Sequence, residues 1–195
     1  MSFKRKVLLI MLFLTAPLLK AEKTPMVTGR KLGDGNWGTH MPVLVTAVMN
    51  TNGPVLELGC GDYSTPLLHA ICMAQNRYLL TTESDKQWQS LFLDLDIENR
   101  HDFRLVKNFD DWDNVGGDKH WSVIFIDHAP YNRRILDIKR LRNNTEIFVI
   151  HDAEQPGYGY EPYVSSFKYK FVYKRYKHQT MIVSDTINVA KLFEE

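Results

Sequence analysis

Pro54-Val-Leu-Glu-Leu-Gly-Cys-Gly-Asp-Tyr-Ser-Thr-Pro66 is the stretch that organises the reading of the whole chain. Its first half, Val55 to Leu58, is a short apolar strand bounded by turn residues. The strand runs into Gly59 and Gly61 and then into a helix opened by Ser64, Thr65 and Pro66. Two residues without Cβ let a ligand press on the backbone where the unpaired N–H groups of a helix start point outward. Such a turn suits a nucleotide-like cofactor.

Outward from this turn the chain alternates strand-like and helix-like segments with short connections, the pattern of a parallel sheet covered on both faces. A helix is expected over Met41 to Met49, with Pro42 in its first turn, preceded by a glycine-rich loop Gly33 to Gly38 able to cover a site. After the glycine turn, Leu67, Leu68, Ile71 and Cys72 fall at helical spacing. Tyr78 to Glu83 reads as the second strand, and Trp88, Leu91, Phe92 and Leu95 as the core stripe of a helix capped by Ser84 or Asp85. Phe103 to Val106, Trp121 to Asp127 and Glu146 to Asp152 follow as strands, the second of them apolar enough to be central. Between the last two, a helix turns Ile135, Ile138 and Leu141 inward. At the end, Phe167, Tyr169, Phe171 and Tyr173 alternate with lysines, and Thr180 to Ser184 returns as the second arm of an antiparallel hairpin.

Bulk composition narrows the function classes. The chain has 195 residues, room for one substantial core, and its 24 basic and 23 acidic residues give no support to a general nucleic-acid or membrane-surface binder. Lys4-Arg5-Lys6 and the apolar run Val7 to Leu19 resemble a secretory signal with cleavage after Ala21. A short membrane anchor is the rival, although the run is shorter than the roughly 20 residues a spanning helix needs. Residues 1–21 are therefore set apart from a folded domain over 22–195, with export or membrane anchoring as the expected location. Cys60 and Cys72 lie too far apart along the turn and helix to pair and read as small buried apolar residues. Asn143-Asn144-Thr145 is a glycosylation sequon, a triplet common by chance.

Glu57-Leu-Gly59-Cys-Gly61, with Glu83 closing the second strand, resembles the first two motifs of class I S-adenosylmethionine-dependent methyltransferases. The resemblance covers roughly Trp37 to Ser184 and implies an α/β fold: a Rossmann-like doubly wound sheet of five parallel strands plus a C-terminal antiparallel hairpin, in the order 3-2-1-4-5-7-6. It also implies S-adenosylmethionine as cofactor, with Glu57 near its amino group, Gly59, Gly61 and Ser64 around it, and Glu83 on the ribose hydroxyls. Asp111 and Trp112, after the third strand, would hold and pack the adenine. A nicotinamide-dependent oxidoreductase would use a similar acid, but its fingerprint asks for a third glycine where Ser64 stands. A cofactor-binding module without catalysis is a further alternative.

The most suggestive chemistry lies at Asp127-His128, closing the fourth strand, and His151-Asp152, closing the fifth. Parallel strands run about 4.8 Å apart, so these ionisable groups converge on the ligand-binding edge, where perturbed groups concentrate. In one mechanism a histidine, His128 first, takes the proton of an acceptor hydroxyl, with Asp127 and His151 completing the catalytic set. In the other, Asp127 and Asp152 bind magnesium or manganese, as in the metal-dependent sugar and small-molecule O-methyltransferases this pattern resembles, although His151-Asp152 departs from their usual acids. Asp127-His-Ala-Pro-Tyr131 also resembles the Asp-Pro-Pro-Tyr box of amino methyltransferases, departing at two positions, which leaves nitrogen methylation open. The acceptor expected is a small molecule or glycan. Tyr158, Tyr160 and Tyr163 suit a sugar groove, while Arg133 and Arg134 read as helix-surface charges and the hairpin lysines as a solvated edge.

Overall fold

The computed structural model describes residues 35–161 and 163–194; the leader-like segment 1–21 and the loop residues Gly33 and Asp34 lie outside them. Seven strands form one sheet in the order β3-β2-β1-β4-β5-β7-β6. They are β1 (Val55–Leu58), β2 (Leu79–Glu83), β3 (His101–Leu105), β4 (Trp121–Ile126), β5 (Thr145–Ile150), β6 (Tyr169–Tyr173) and β7 (Thr180–Ser184). The first five are mutually parallel, and β7 enters antiparallel to both β5 and β6. This is the expected topology, including the place of the hairpin.

The helices α1 (Met41–Met49), α2 (Thr65–Ala74), α3 (Lys86–Gln89) and α4 (Tyr131–Leu141) cover the two faces. Every residue of β1, β2 and β4 is buried, as parallel strands sandwiched between helices require. Two apolar cores result. Leu56, Leu58, Trp121, Ile124 and Phe148 belong to the first, while Val55, Val123, Phe125, Val149 and α1's Val43 and Leu44 belong to the second. Each fully buried Val, Leu, Ile or Phe side chain contributes about 1.5–3 kcal/mol. Cys60 and Cys72 are both buried and free. No described helix is long and apolar enough to cross a membrane.

The helix expected across Trp88, Leu91, Phe92 and Leu95 is shorter than its apolar spacing suggested. Asp85 caps it by accepting from the Gln87 and Trp88 amides, yet α3 ends at Gln89 and continues only as a 3-10 turn over Leu93–Leu95. Phe92 and Leu95 are buried, whereas Leu91 is 42% exposed. A tightened turn moves the stripe off the core face, because 3-10 geometry advances three residues per turn rather than 3.6.

Candidate functional site

The turn after β1, the segment leading into α1, the end of β4 and Trp88 of α3 enclose a cleft of about 280 Å³, lined by Trp37, His40, Gly61, Ser64, Trp88 and Asp127 among others. It lies at the strand-order switch between β1 and β4, where open α/β sheets bind ligands. Trp88 forms one wall, its indole N–H donating to the Cys60 carbonyl at 2.7 Å.

The two glycines of the opening turn have different duties. Gly59 has φ +93°, and a Cβ there would meet the His128 Cα at 2.6 Å. Its missing side chain makes room for the Asp127–His128 backbone rather than for a ligand. Gly61 is the open one: a Cβ would meet nothing closer than Ser64 Oγ at 3.4 Å. Ser64 lines the cleft beside it.

Glu57 does not reach this cleft. It is fully buried beneath the start of α2, where the hydroxyls of Thr65 (3.0 Å) and Thr81 (2.6 Å) donate to its carboxylate. Burial lifts its pKa to about 7 against the pull of the Ser64, Thr81 and Thr65 hydroxyls. Glu57 therefore lies beneath the glycine turn and not on the cleft lining, so it makes no direct approach to a ligand there. Glu83 does close β2 as expected. Its Oε1 accepts from the Ser84 and Asp85 amides at 2.6 and 2.9 Å, and its Oε2 accepts from the Cys60 amide at 3.1 Å and thiol at 3.5 Å. The Ser84 hydroxyl at 3.3 Å and the thiol at 3.5 Å are its long contacts, the ones an incoming hydroxyl could replace.

Asp111 and Trp112 are not brought to the cleft. Asp111 is exposed and accepts from the amide and side chain of Asn108, closing its own turn. Trp112 is wholly buried and packs on the His128 ring, centroids 4.4 Å apart.

The strand-end pairs sort by register. Ile126 stands opposite Ile150, so Asp127 and His151 share the next level and meet: His151 Nδ1 lies 3.2 Å from Asp127 Oδ2. His128 points away from the cleft to Asp137 on α4, donating through Nε2 at 2.9 Å with both side chains fully buried. It is therefore not the acid–base group the sequence suggested. Asp137 is also bound by Arg133 and Arg140, and it lies below the ordinary carboxylate range because those partners and His128 outweigh its burial. Arg133 and Arg134 are buried, not helix-surface charges.

Arg134 also overturns the expected metal pair. Its guanidinium donates to Asp127 Oδ1 at 3.0 Å and contacts Asp152 Oδ2 at 3.5 Å, so a cation already bridges the two acids. The same side chain binds the carbonyls of Asp127 and His128 and lies over the Tyr158 ring. Asp152 turns away in a left-handed conformation, φ +55°, and meets His178 Nδ1 at 3.2 Å.

His40, immediately before α1, was not singled out by its sequence context, yet it is the third member of the centre. Ligand-capable atoms of His40, Asp127 and His151 all lie within 4.8 Å of one another. His40 is 3% exposed, and neither ring nitrogen has a hydrogen-bond partner of good geometry among the described residues. Burial lowers its pKa to about 4, so its ring is neutral at pH 7. Thr39 donates its hydroxyl proton to the His178 carbonyl at 2.6 Å, so at 3.1 Å it accepts from His151 Nε2–H. Burial opposes charge on His151, but Asp127 outweighs it and raises the imidazole pKa; Asp127 is in turn held low by His151 and Arg134. The hairpin supplies His178, which stacks on Trp37 at 5.3 Å.

Of the tyrosines expected to line a groove, Tyr160 is buried and Tyr163 packs on Phe167. Tyr158 remains near the site, stacked on the exposed Tyr131 at 5.1 Å.

Solved structures share this architecture. A proposed O-methyltransferase from Klebsiella pneumoniae superposes with TM-score 0.57 at 15% identity, covering 80% of this chain and 82% of its own. Human methyltransferase-like protein 13, solved with S-adenosylhomocysteine, gives 0.56 at 11% identity over 76% of this chain and 82% of its own. An rRNA methylase from Streptococcus thermophilus gives 0.52 at 11% identity, over 75% and 95%. The fold is that of the class I S-adenosylmethionine-dependent methyltransferases. No family model matches the sequence, and no curated protein matches it. The antiparallel β7 between β5 and β6 distinguishes this fold from the dinucleotide-binding order 3-2-1-4-5-6.

Proposed function

We propose that the chain transfers a methyl group from S-adenosylmethionine to an oxygen of a small hydroxylated molecule or glycan. The observation that carries this reading is the open Gly61 turn facing the ionised Asp127 across one cleft at the ends of β1 and β4. The residues fit the cofactor: the Asp127 carboxylate favours a ligand bearing a sulfonium and an ammonium, Gly61 leaves room for it against the turn, and Glu83 stands at the neighbouring strand end for hydroxyls. Bound there, the cofactor would supply an electrophilic methyl for an acceptor oxygen, whose hydroxyl proton must pass to a base. Asp127 and the two imidazoles beside it are the groups placed to orient the hydroxyl and receive that charge. Arg134 fixes Asp127 from behind, and the stacked Tyr131–Tyr158 pair offers an apolar face at the rim for a sugar or aromatic acceptor.

Calorimetric titration with S-adenosylhomocysteine, paired with transfer of a labelled methyl to a panel of small alcohols, phenols and glycans, tests both parts. Micromolar binding and transfer that falls on the order of 10²–10⁴-fold in Asp127→Ala are expected. No binding in the micromolar range overturns the methyltransferase reading and leaves only the fold. Transfer unaffected by Asp127→Ala overturns the site.

A further inference from the structure

We propose that His40, Asp127 and His151 form a binding site for one divalent first-row transition-metal ion at the floor of the cleft. The placement of that ion beside an acceptor hydroxyl rests on the methyl-transfer reading; the ion site itself does not. Three separate elements deliver the three donors, the residue ahead of α1 and the ends of β4 and β5, with donor atoms within 4.8 Å of one another. Donors within that span can close on one ion at the roughly 2.0–2.2 Å of zinc–nitrogen and zinc–oxygen bonds once the side chains draw together.

Three further features point to an ion. His40 is 3% exposed, and among the described residues neither ring nitrogen has a hydrogen-bond partner of good geometry, although the Tyr63 backbone approaches the ring; such a buried nitrogen costs roughly 1–3 kcal/mol unless something binds there. Thr39 gives its only proton to the His178 carbonyl and so takes His151 Nε2–H, which leaves Nδ1 as the ring atom aimed at Asp127 Oδ2. This outer hydrogen bond orients the ring as the partners of metal-bound histidines do. Arg134 occupies Asp127 Oδ1, leaving Oδ2 for the centre.

Two imidazoles and one carboxylate favour zinc, manganese, iron or cobalt over magnesium or calcium, which prefer all-oxygen shells. Three protein ligands also leave positions open for an acceptor oxygen. Asp152 takes no part, since Arg134 and His178 hold it.

The test uses the full chain stripped with chelator and titrated with cobalt(II), read by visible absorption and calorimetry, with zinc and magnesium as competitors. One equivalent should bind with micromolar or tighter affinity, zinc should displace it, and a hundredfold excess of magnesium should not. Binding should weaken at least about tenfold in His40→Ala and in His151→Ala, while Lys170→Ala, on the remote hairpin edge, binds as wild type. If His40→Ala fails to fold, His40→Gln takes its place with the same expected loss. Absence of one-equivalent binding below about 100 µM, or wild-type affinity in the His40 variants, overturns the site. Parallel titration with S-adenosylhomocysteine separates the two readings: cobalt bound without S-adenosylhomocysteine upholds the ion site and removes the methyl-transfer setting.

Discussion

Asp127-His128 and His151-Asp152 hold the same two residue types in opposite order on neighbouring strands, and the order decides their fates. Because β4 and β5 run parallel with Ile126 opposite Ile150, the first residue after each strand lies at the same level, with Asp127 on the cleft wall and the buried His151 against it. Asp127 therefore meets His151. The second residues leave in different directions, His128 inward to Asp137 and Asp152 toward His178 and Arg134. One histidine is consequently a core hydrogen-bond donor and the other half of an ion pair at the cleft. Side-chain alternation along a strand separates adjacent residues, so two ionisable neighbours in sequence seldom act on one ligand.

The comparison breaks most sharply at the two acids that receive these histidines. Asp137 is wholly buried and bound by His128, Arg133 and Arg140, so Asp137→Ala strands buried charges and should cost about 3–5 kcal/mol of stability. Asp127 is 26% exposed at its side chain, and its loss leaves Arg134 still held by Asp152 and two backbone carbonyls, so Asp127→Ala should cost about 1–3 kcal/mol. Denaturant midpoints at constant slope give the two values. Equal losses would mean that the cleft pair is as structural as the core pair.

Much of the fold was readable in advance. Short apolar runs separated by Gly, Pro and Asp mark each strand, and the lysine alternation after Phe167 marks an edge hairpin, so element order follows from the residues, while sheet order comes from the resemblance carried by the glycine turn. The site was readable only in part. Asp127 and His151 stand at strand ends, which any parallel sheet brings to one edge. His40 precedes an apolar helix with no local pattern to mark it, and Arg134 sits on a helix whose charge-rich sequence looks solvated. Their roles come from long-range packing: α1 lies against β4 and β5, and α4 lays its arginines across the strand ends. Gly59 shows the same limit, since its need arises from a chain segment nearly seventy residues away.

Glu57 provides a second contrast, between a buried acid held by hydroxyls and Asp127 held by cations. Its folded pKa of about 7 exceeds the ordinary glutamate value of 4.5, so the folded state binds the extra proton between those values. The resulting stability is complete below about pH 4.5 and is lost as pH rises through 7, amounting to about 3 kcal/mol in all. Glu57→Gln should therefore stabilise the chain by about 2–3 kcal/mol at pH 8 and by little at pH 4.5, with S-adenosylhomocysteine affinity nearly unchanged. Thermal or urea unfolding across that range measures it. Asp127 should show the opposite slope, since its depressed pKa gives stability that is lost toward acid. A flat difference between wild type and Glu57→Gln from pH 4.5 to 8 would mean that the hydroxyl cage offsets the burial of Glu57 completely.

The smallest effect on folding belongs to Gly61, whose neighbour Gly59 is sterically committed to the Asp127–His128 backbone. An alanine methyl at Gly61 has ordinary contact distance to Ser64 Oγ and no positive φ to strain it, so Gly61→Ala should change stability by less than about 0.5 kcal/mol. The same methyl projects into the space in front of the turn, which is the one part of the opening sequence that still faces a ligand. Affinity for S-adenosylhomocysteine should therefore fall about tenfold, equivalent to about 1.4 kcal/mol, with the melting temperature held. A variant that binds as wild type would move the ligand off the glycine turn and toward the Asp127–His151 side of the cleft. A variant that loses both affinity and stability would show that Gly61, like Gly59, is fixed by the chain around it.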